Sequence, residues 1–308
     1  MRVLVTGGAG FIGGHLCGYL LGLGHEVVVL DDLSTGLMRN VDHLPVTFIQ
    51  GSVGSAADIK LAIEGVDAVA HLAALGSVPR SINDPCHSVD TNAVGTLNVL
   101  EAARFRGAHV VFASSSSVYG SVATLPRTED LPTRPISPYG ASKLAAESLV
   151  LAYGATYNMR NTALRFFNVY GPGQRPDGPY AAVIPRFITA ALTRRPLEIH
   201  GSGQQSRDFT YVETVTQVVA QALTRSDLWL DIPVNLAFGS TTSINQVASM
   251  VEQIVGVSLV RHHLATRPAD ISASTNDARL LQKTFPGISD IDIETGLQRT
   301  YEWFRDKI

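Results

Sequence analysis

The chain has 308 residues, with 24 Lys and Arg against 27 Asp and Glu and a formal net charge of −3. That balance lacks the strongly basic face a nucleic-acid grip needs, and a 45% hydrophobic content at this length buries a sizeable core rather than leaving the chain disordered. Only 17% of residues are charged, where about 25% is usual, and 27 are glycine. Arg2–Thr6 reads as a buried strand, Phe11–Leu23 as a helix and Glu26–Leu30 as the next strand. Strands follow at Val46–Gln50, Ala68–Leu72 and Val110–Ser114, with helical periodicity at Ala56–Glu64 and Thr91–Phe105. Strand and helix in strict alternation predict a parallel sheet covered on both faces, a doubly wound α/β fold. The second half is less regular. Two long loops hold eight of the fifteen prolines, followed by a helix near Val212–Thr224, a strand near Val234–Leu236, and helices near Ile244–Val255 and Ile293–Lys307.

Residues 3–25 carry no Asp, Glu, Lys or Arg and could pass for an export signal. Eight glycines interrupt the stretch, so no apolar run nears the ~20 residues that span a bilayer. Neither a leader nor a membrane anchor is expected. Cys17 and Cys86 have no CxxC spacing, which predicts no disulfide framework and no zinc site, and a reducing cytoplasm. His262 and His263 are adjacent and would face opposite ways in a strand, and His71 reads as a core histidine, so no metal is expected.

Gly7, Gly10 and Gly13 lie between the first strand and the first helix, in Thr6-Gly-Gly-Ala-Gly-Phe-Ile-Gly13. Such a turn lets the backbone approach a pyrophosphate, and the helix N-terminus at Phe11 and Ile12 offers it free N–H groups. Asp31 ends the next strand, where it can accept hydrogen bonds from a ribose and repel the extra phosphate of NADP. NAD is therefore the expected cofactor. The other use for Asp31 and Asp32 is to hold a turn.

Tyr139 and Lys143 stand four apart in Ser-Pro-Tyr-Gly-Ala-Ser-Lys, at the start of a helix and on one face of it. A nearby ammonium stabilises phenolate, so Tyr139 can exchange a proton with a sugar hydroxyl. A hydroxyl from the cluster Ser114–Ser117 can share that proton or orient the substrate.

With these residues assembled, the sequence resembles an extended short-chain dehydrogenase/reductase of the nucleotide-sugar epimerase/dehydratase family. The resemblance covers nearly the whole chain and is carried by TGGAGFIG (6–13), DDLSTG (31–36), HLAA (71–74), NAVGT (92–96), SSSSVYG (114–120), SPYGASK (137–143), RFFNVYGP (165–172) and RDFTYV (207–212). The segments AALGSVPRSINDP (73–85) and PDGPYAAVIPRF (176–187) are closest to UDP-N-acetylglucosamine 4-epimerases.

The resemblance implies a Rossmann domain over 1–165 with about 212–237 returning to its sheet, and a smaller α/β nucleotide-sugar domain over 166–211 and 238–308. It implies transient oxidation at C4 by tightly bound NAD+, with Tyr139 as proton carrier, Ser115 as its hydrogen-bonding partner and Lys143 also at the nicotinamide ribose. Further cofactor contacts would come from Asp32, Ser34, Thr35, Gly36, Leu72, Ala73, Ala74, Asn92 and Phe166. The family's adenine-contacting Asp is Ser52 here, which weakens that contact or leaves it to the Val53 backbone. Asn168, Arg207 and Arg267 match positions that hold the nucleotide diphosphate, and Gly76, Ser77, Ser116, Val183, Ile199 and Asp270 match other substrate contacts.

Two positions sort the chemistry. Dehydratases carry Asp-Glu where this chain has Ser116 and Ser117, and related decarboxylases keep the Glu, so elimination is disfavoured and epimerisation expected. Ser274 matches a gatekeeper position at which tyrosine excludes N-acetyl groups, and Gly76 stands where galactose-type epimerases carry lysine. The small Ser274 leaves room for an acetamide and Gly76 matches the N-acetyl group of epimerases, so the expected substrates are UDP-GlcNAc and UDP-GalNAc, with UDP-glucose and UDP-galactose next. Other readings are a UDP-glucuronic acid 4-epimerase, a dTDP-sugar enzyme, and a non-catalytic NAD(H) sensor. The family usually dimerises through helices matching Thr91–Phe105 and Ser142–Tyr157, so a homodimer is expected.

Overall fold

The computed structural model describes residues 1–177, 181–225, 227–228, 230–266 and 273–307. Among them, strands β1 (Arg2–Thr6), β2 (Glu26–Asp31), β3 (Thr47–Gln50), β4 (Ala68–His71), β5 (His109–Ser115) and β6 (Asn161–Phe166) form one sheet with a short edge strand, Val234–Leu236. The spatial order is Val234–Leu236, β6, β5, β4, β1, β2, β3, and the pairings from β6 through to β3 are all parallel. The chain runs outward from β1 to β3 and then restarts on the other side of β1 at β4. Ligands bind in such sheets outside the carboxyl ends of the strands at this reversal. Thr6, Asp31, His71, Ser115 and Phe166 are the last residues of β1, β2, β4, β5 and β6.

The strands are apolar on both faces because helices cover both. Leu4, Val28, Val69, Val110 and Phe112 pack with Ile59, Val99, Leu100, Ala146 and Val150 in one buried cluster. Each of the larger of these side chains contributes roughly 1.5–3 kcal/mol by leaving water. The helix expected over Thr91–Phe105 is present as Gly95–Arg106, preceded by a π-helical turn at Asp90–Val94.

The chain divides into two compact units: Met1–Val122, Glu129–Phe166 and Thr216–Asn235 in the first, and Ala123–Thr128, Phe167–Val215 and Leu236–Ile308 in the second. Ala123–Thr128, placed with the first domain in the sequence reading, clusters with the second unit. Arg127 N donates to Thr275 O at 2.8 Å, and Asp277 N donates to Arg127 O at 3.0 Å.

The second unit is built on the helices Val183–Leu192, Ile244–Val255 and Ile293–Arg305, whose Phe187, Ile188, Val247, Val251, Leu297 and Phe304 share a core. Three short strand pairs complete it, among them Leu197–His200 beside Arg261–Leu264 in parallel and Ser206–Arg207 beside Thr242–Ser243 in antiparallel register. Ser243 caps the Ile244–Val255 helix reciprocally: Gln246 N donates to Ser243 Oγ at 3.2 Å, and Ser243 N to Gln246 Oε1 at 2.7 Å. No helix among the described residues is long and apolar enough to cross a membrane.

Candidate active site

β1 ends at Thr6, and the chain turns at Gly7 with φ +70°. A side chain there would strain the backbone and meet the Ala73 main chain at 2.8 Å. The helix Phe11–Gly22 then opens with Gly10 as its N-cap, with no side-chain cap and no acidic residue in its first turn. The first-turn N–H groups of Phe11, Ile12 and Gly13 and the positive end of the helix are thus left for an anion.

The cavity beside this turn is lined by Gly7 and Gly10, by Asp31, Asp32, Ser34 and Thr35 after β2, by Ser52 and Val53 after β3, and by Leu72–Ala74 after β4. Leu75, which falls in the 73–85 segment, also lines it, as do His87 and Thr91, which lie in no motif. Asp31 has a structural role as well: its Oδ2 accepts Ala9 N at 2.9 Å and its Oδ1 accepts Leu33 N at 2.8 Å. Burial raises its carboxyl above the usual range, while those two N–H groups pull the other way. Gly36 packs on the same carboxylate, where a Cβ would stand 2.7 Å from Oδ1. Ser52 accepts Gly54 N at 3.1 Å, and its own N–H is taken by Asp58 Oδ2 at 2.9 Å. The cradle fits a dinucleotide: closely packed glycines, an uncapped helix start, and a carboxylate at the neighbouring strand end.

His71 fixes the strand end that carries Leu72–Ala74. Thr96 Oγ1 donates to Asn92 O at 2.6 Å, so it accepts from His71 Nε2 at 2.9 Å, and His71 Nδ1 accepts from Thr6 Oγ1 at 2.7 Å. Ala73 N donates to Thr6 Oγ1 at 3.3 Å and closes the chain. Burial, with Lys143 nearby, pushes the imidazole down to about 3, so it stays neutral. Asn92 is buried, and its side chain is committed to protein partners: Oδ1 takes Leu75 N at 2.8 Å and Nδ2 donates to Ser142 Oγ at 2.9 Å.

The three residues expected to carry the chemistry come from β5 and the helix Pro138–Tyr157. Ser137 caps that helix by accepting Gly140 N at 3.1 Å, and Pro138 occupies the first turn, where its missing N–H costs nothing. Tyr139 and Lys143 follow on one face. Ser115 is hydrogen-bonded to the Tyr139 phenol. Burial raises the phenol above its usual value, and the Ser115 bond opposes that. Lys143 is only 2% exposed. Its Nζ lies 4.5 Å from the centre of the Phe112 ring, and burial pushes the ammonium down to about 7 against the pull of Glu147. A hydroxyl, a phenol and an ammonium so arranged are able to move a proton to and from an alcohol.

Ser116 follows Ser115 in a short 3-10 turn, and its carbonyl accepts Tyr119 N at 3.2 Å. Phe166 pairs in register with Ser115 at the end of β6. Ser77 caps the helix Val78–Asn83 by accepting Arg80 N at 3.2 Å, and a Cβ on Gly76 would meet nothing within 4 Å.

In the second unit, one cavity is lined by Asn168, Val183, Ile199 and Arg207, together with Gln174, Arg186, Glu198 and His200. The last four escaped the sequence reading. Asn168 Nδ2 donates to Asp208 O at 3.1 Å, and Arg207 Nη1 to Ser206 O at 2.7 Å. Ser274 is 1% exposed, its N–H donates to Ser206 O at 3.1 Å, and its hydroxyl has no hydrogen-bond partner among the described residues. Arg267 and Asp270 lie outside the described residues.

Comparison with known proteins places this geometry. The profile of the NAD dependent epimerase/dehydratase family matches residues 3–236. A UDP-glucose 4-epimerase of Mycolicibacterium smegmatis is 34% identical over 314 residues, covering 100% of this chain and 99% of that protein. A UDP-N-acetylglucosamine 4-epimerase from Methanobrevibacter ruminantium M1, solved with UDP-N-acetylmuramic acid, superposes with a TM-score of 0.93 at 35% identity over 100% of this chain and 99% of the other. A UDP-glucuronic acid 4-epimerase from Bacillus cereus, solved with UDP-glucuronic acid and NAD, gives 0.92 at 31% identity over 100% of both chains. The chain belongs to the NAD-dependent epimerase/dehydratase family.

Proposed function

We propose that this protein is a UDP-sugar 4-epimerase acting on the N-acetylhexosamine pair UDP-GlcNAc and UDP-GalNAc. The observation that carries the reading is the Ser115–Tyr139 hydrogen bond with Lys143 one turn beyond, beside Ser116 and Ser117, which offer no carboxyl acid for an elimination.

Tyr139, as phenolate, takes the proton of the sugar 4-hydroxyl, Ser115 donates to the phenolic oxygen, and the Lys143 ammonium stabilises the charge. Tightly held NAD, when bound, supplies the reversible oxidation of that carbinol to a ketone. The ketone turns over about its diphosphate linkage, the oxidation would be reversed at the opposite face of C4, and Tyr139 returns the proton to the C4 oxygen. Gly7, Gly10, the N–H groups of Phe11–Gly13 and Asp31 would hold the dinucleotide. Arg207 and Arg267 would hold the substrate diphosphate, for which a guanidinium fork is suited.

The N-acetyl preference is supported by Ser274, a small buried residue at the position matched to the gatekeeper, and by Gly76, where a Cβ would meet nothing within 4 Å among the described residues. The protein works as a cytoplasmic homodimer through the Gly95–Arg106 and Pro138–Tyr157 helices. Phe105 is 79% exposed there, and Arg104 lies over both the Phe105 and Tyr157 rings, at 4.3 and 4.7 Å. Mass spectrometry over acetylated, neutral and uronic UDP-sugars, with the cofactor identified after denaturation, tests the reading. It expects UDP-GlcNAc and UDP-GalNAc to interconvert fastest, without added reductant.

A further inference from the structure

Two buried charges have no part in the chemistry above. Glu147 lies on the Pro138–Tyr157 helix one turn beyond Lys143, Arg165 lies on β6, and they are 2% and 4% exposed. The guanidinium forks the carboxylate, with Arg165 Nε donating to Oε2 at 3.0 Å and Nη2 to Oε1 at 2.7 Å. Ser114, next to Ser115 on β5, donates its hydroxyl to the same Oε2 at 2.6 Å. Arg165 Nη1 donates to Tyr119 Oη at 2.7 Å, and Tyr119 in turn donates to Asn235 Oδ1 at 2.7 Å. Taking two such ions out of water is costly, so a buried pair is weak evidence for stability and its place calls for another reason.

We infer that the Glu147–Arg165 pair sets the charge on Lys143, and through it the readiness of Tyr139 to take and return a proton. The inference rests on the reading of Tyr139 as the proton carrier. Glu147 is a positioning residue, acting on Lys143 through space.

Among the described residues, Lys143 has Glu147 of its own helix, the neutral His71 of β4 and the Phe112 ring of β5 near it, and Tyr139, bonded to Ser115, stands one turn back along the helix. Burial disfavours the ammonium, and of these groups Glu147 is the one carrying a full opposite charge. A bare carboxylate one turn away would hold Lys143 protonated throughout the neutral range. Arg165 takes both its oxygens and leaves a partial field. The result is an ammonium poised near neutrality, beside a phenol that needs its help.

The protein has four lysines, Lys60, Lys143, Lys283 and Lys307, so 13C-lysine labelling gives few signals, and Lys143→Arg assigns the one of interest. Carried out on the protein as purified, with its NAD content measured, the titration of Lys143 should move to lower pH in Glu147→Gln. There a positive guanidinium is left without its carboxylate. It should move to higher pH in Arg165→Gln, where the carboxylate is uncovered, each by on the order of one pH unit. A pair that merely pins helix to strand would leave the titration in place or move both variants the same way, and either result overturns the inference. Should a single variant not fold, E147Q/R165Q, which removes both charges of the pair together, still moves the titration to lower pH. A wild-type value there is equally fatal. The lysine readout needs no substrate. Opposed shifts in a protein that epimerises no UDP-sugar would contradict the functional reading alone.

Discussion

Gly13 and Gly7 pack so closely that a Cβ on Gly13 would overlap the Gly7 carbonyl oxygen, with Gly8 Cα 2.6 Å away. The contact seats the first helix directly on the glycine turn, which aims its N-terminus at the cofactor cradle. Gly13→Ala must push backbone from backbone, and such overpacking costs about 1–3 kcal/mol. A thermal melt should show a transition several degrees lower, and denatured variant protein should release far less NAD than wild type. An unchanged melt with full cofactor content would mean the turn is looser than described.

Tyr139→Phe keeps the ring and removes the phenolic oxygen that Ser115 touches. Loss of a positioned acid and base costs about 10²–10⁴ in rate. Turnover should fall by that factor while NAD content and the melting transition hold. A variant with near-normal turnover would remove Tyr139 from the chemistry.

Ser274→Tyr would fill the position proposed as the gatekeeper. The variant should lose UDP-GlcNAc turnover by more than tenfold, about 1.4 kcal/mol or more in the transition state, while UDP-glucose turnover holds or rises. Parallel loss for both sugars would show that the side chain is only part of the packing around its buried site.

Burial, and then the like charge of Asp208, lift the Asp290 carboxyl from an ordinary 3.8 to about 7. A carboxyl with a raised folded pKa contributes stability that is complete below its unfolded value and lost as pH rises through the folded one. Asp290→Asn stays neutral and escapes that loss. In urea unfolding the variant should be more stable than wild type at pH 8, by on the order of a kcal/mol or more, and the advantage should vanish toward pH 4. His71 and Lys143, whose depressed values act in the opposite sense, cancel in this comparison because both proteins carry them. An advantage that did not change with pH would mean the carboxyl titrates normally.

The glycine turn, Asp31 and the Tyr139–Lys143 pair are legible in the sequence because each is a local pattern: a fixed spacing on one turn, strand end or helix face. β6 is not. Its sequence, Asn161–Phe166, carries Arg165 inside a buried strand, and a charge there makes sense only with Glu147 to pair it. The Val183–Leu192 helix is masked by Pro185, which a first turn tolerates. The Asp90–Val94 π-turn follows no simple periodicity, although Asn92 and Thr96 depend on it for their positions. Arg127 belongs to the second unit through main-chain pairing with residues far along the chain, which no local pattern announces.

The most direct test of the central claim is the fate of the C4 hydrogen. UDP-GlcNAc carrying deuterium at C4 should be converted to UDP-GalNAc that keeps its deuterium at C4, with none lost to water and no added cofactor. Product that has exchanged its C4 label with solvent, or no conversion of any acetylated, neutral or uronic UDP-sugar, would contradict transient oxidation at C4 by this protein.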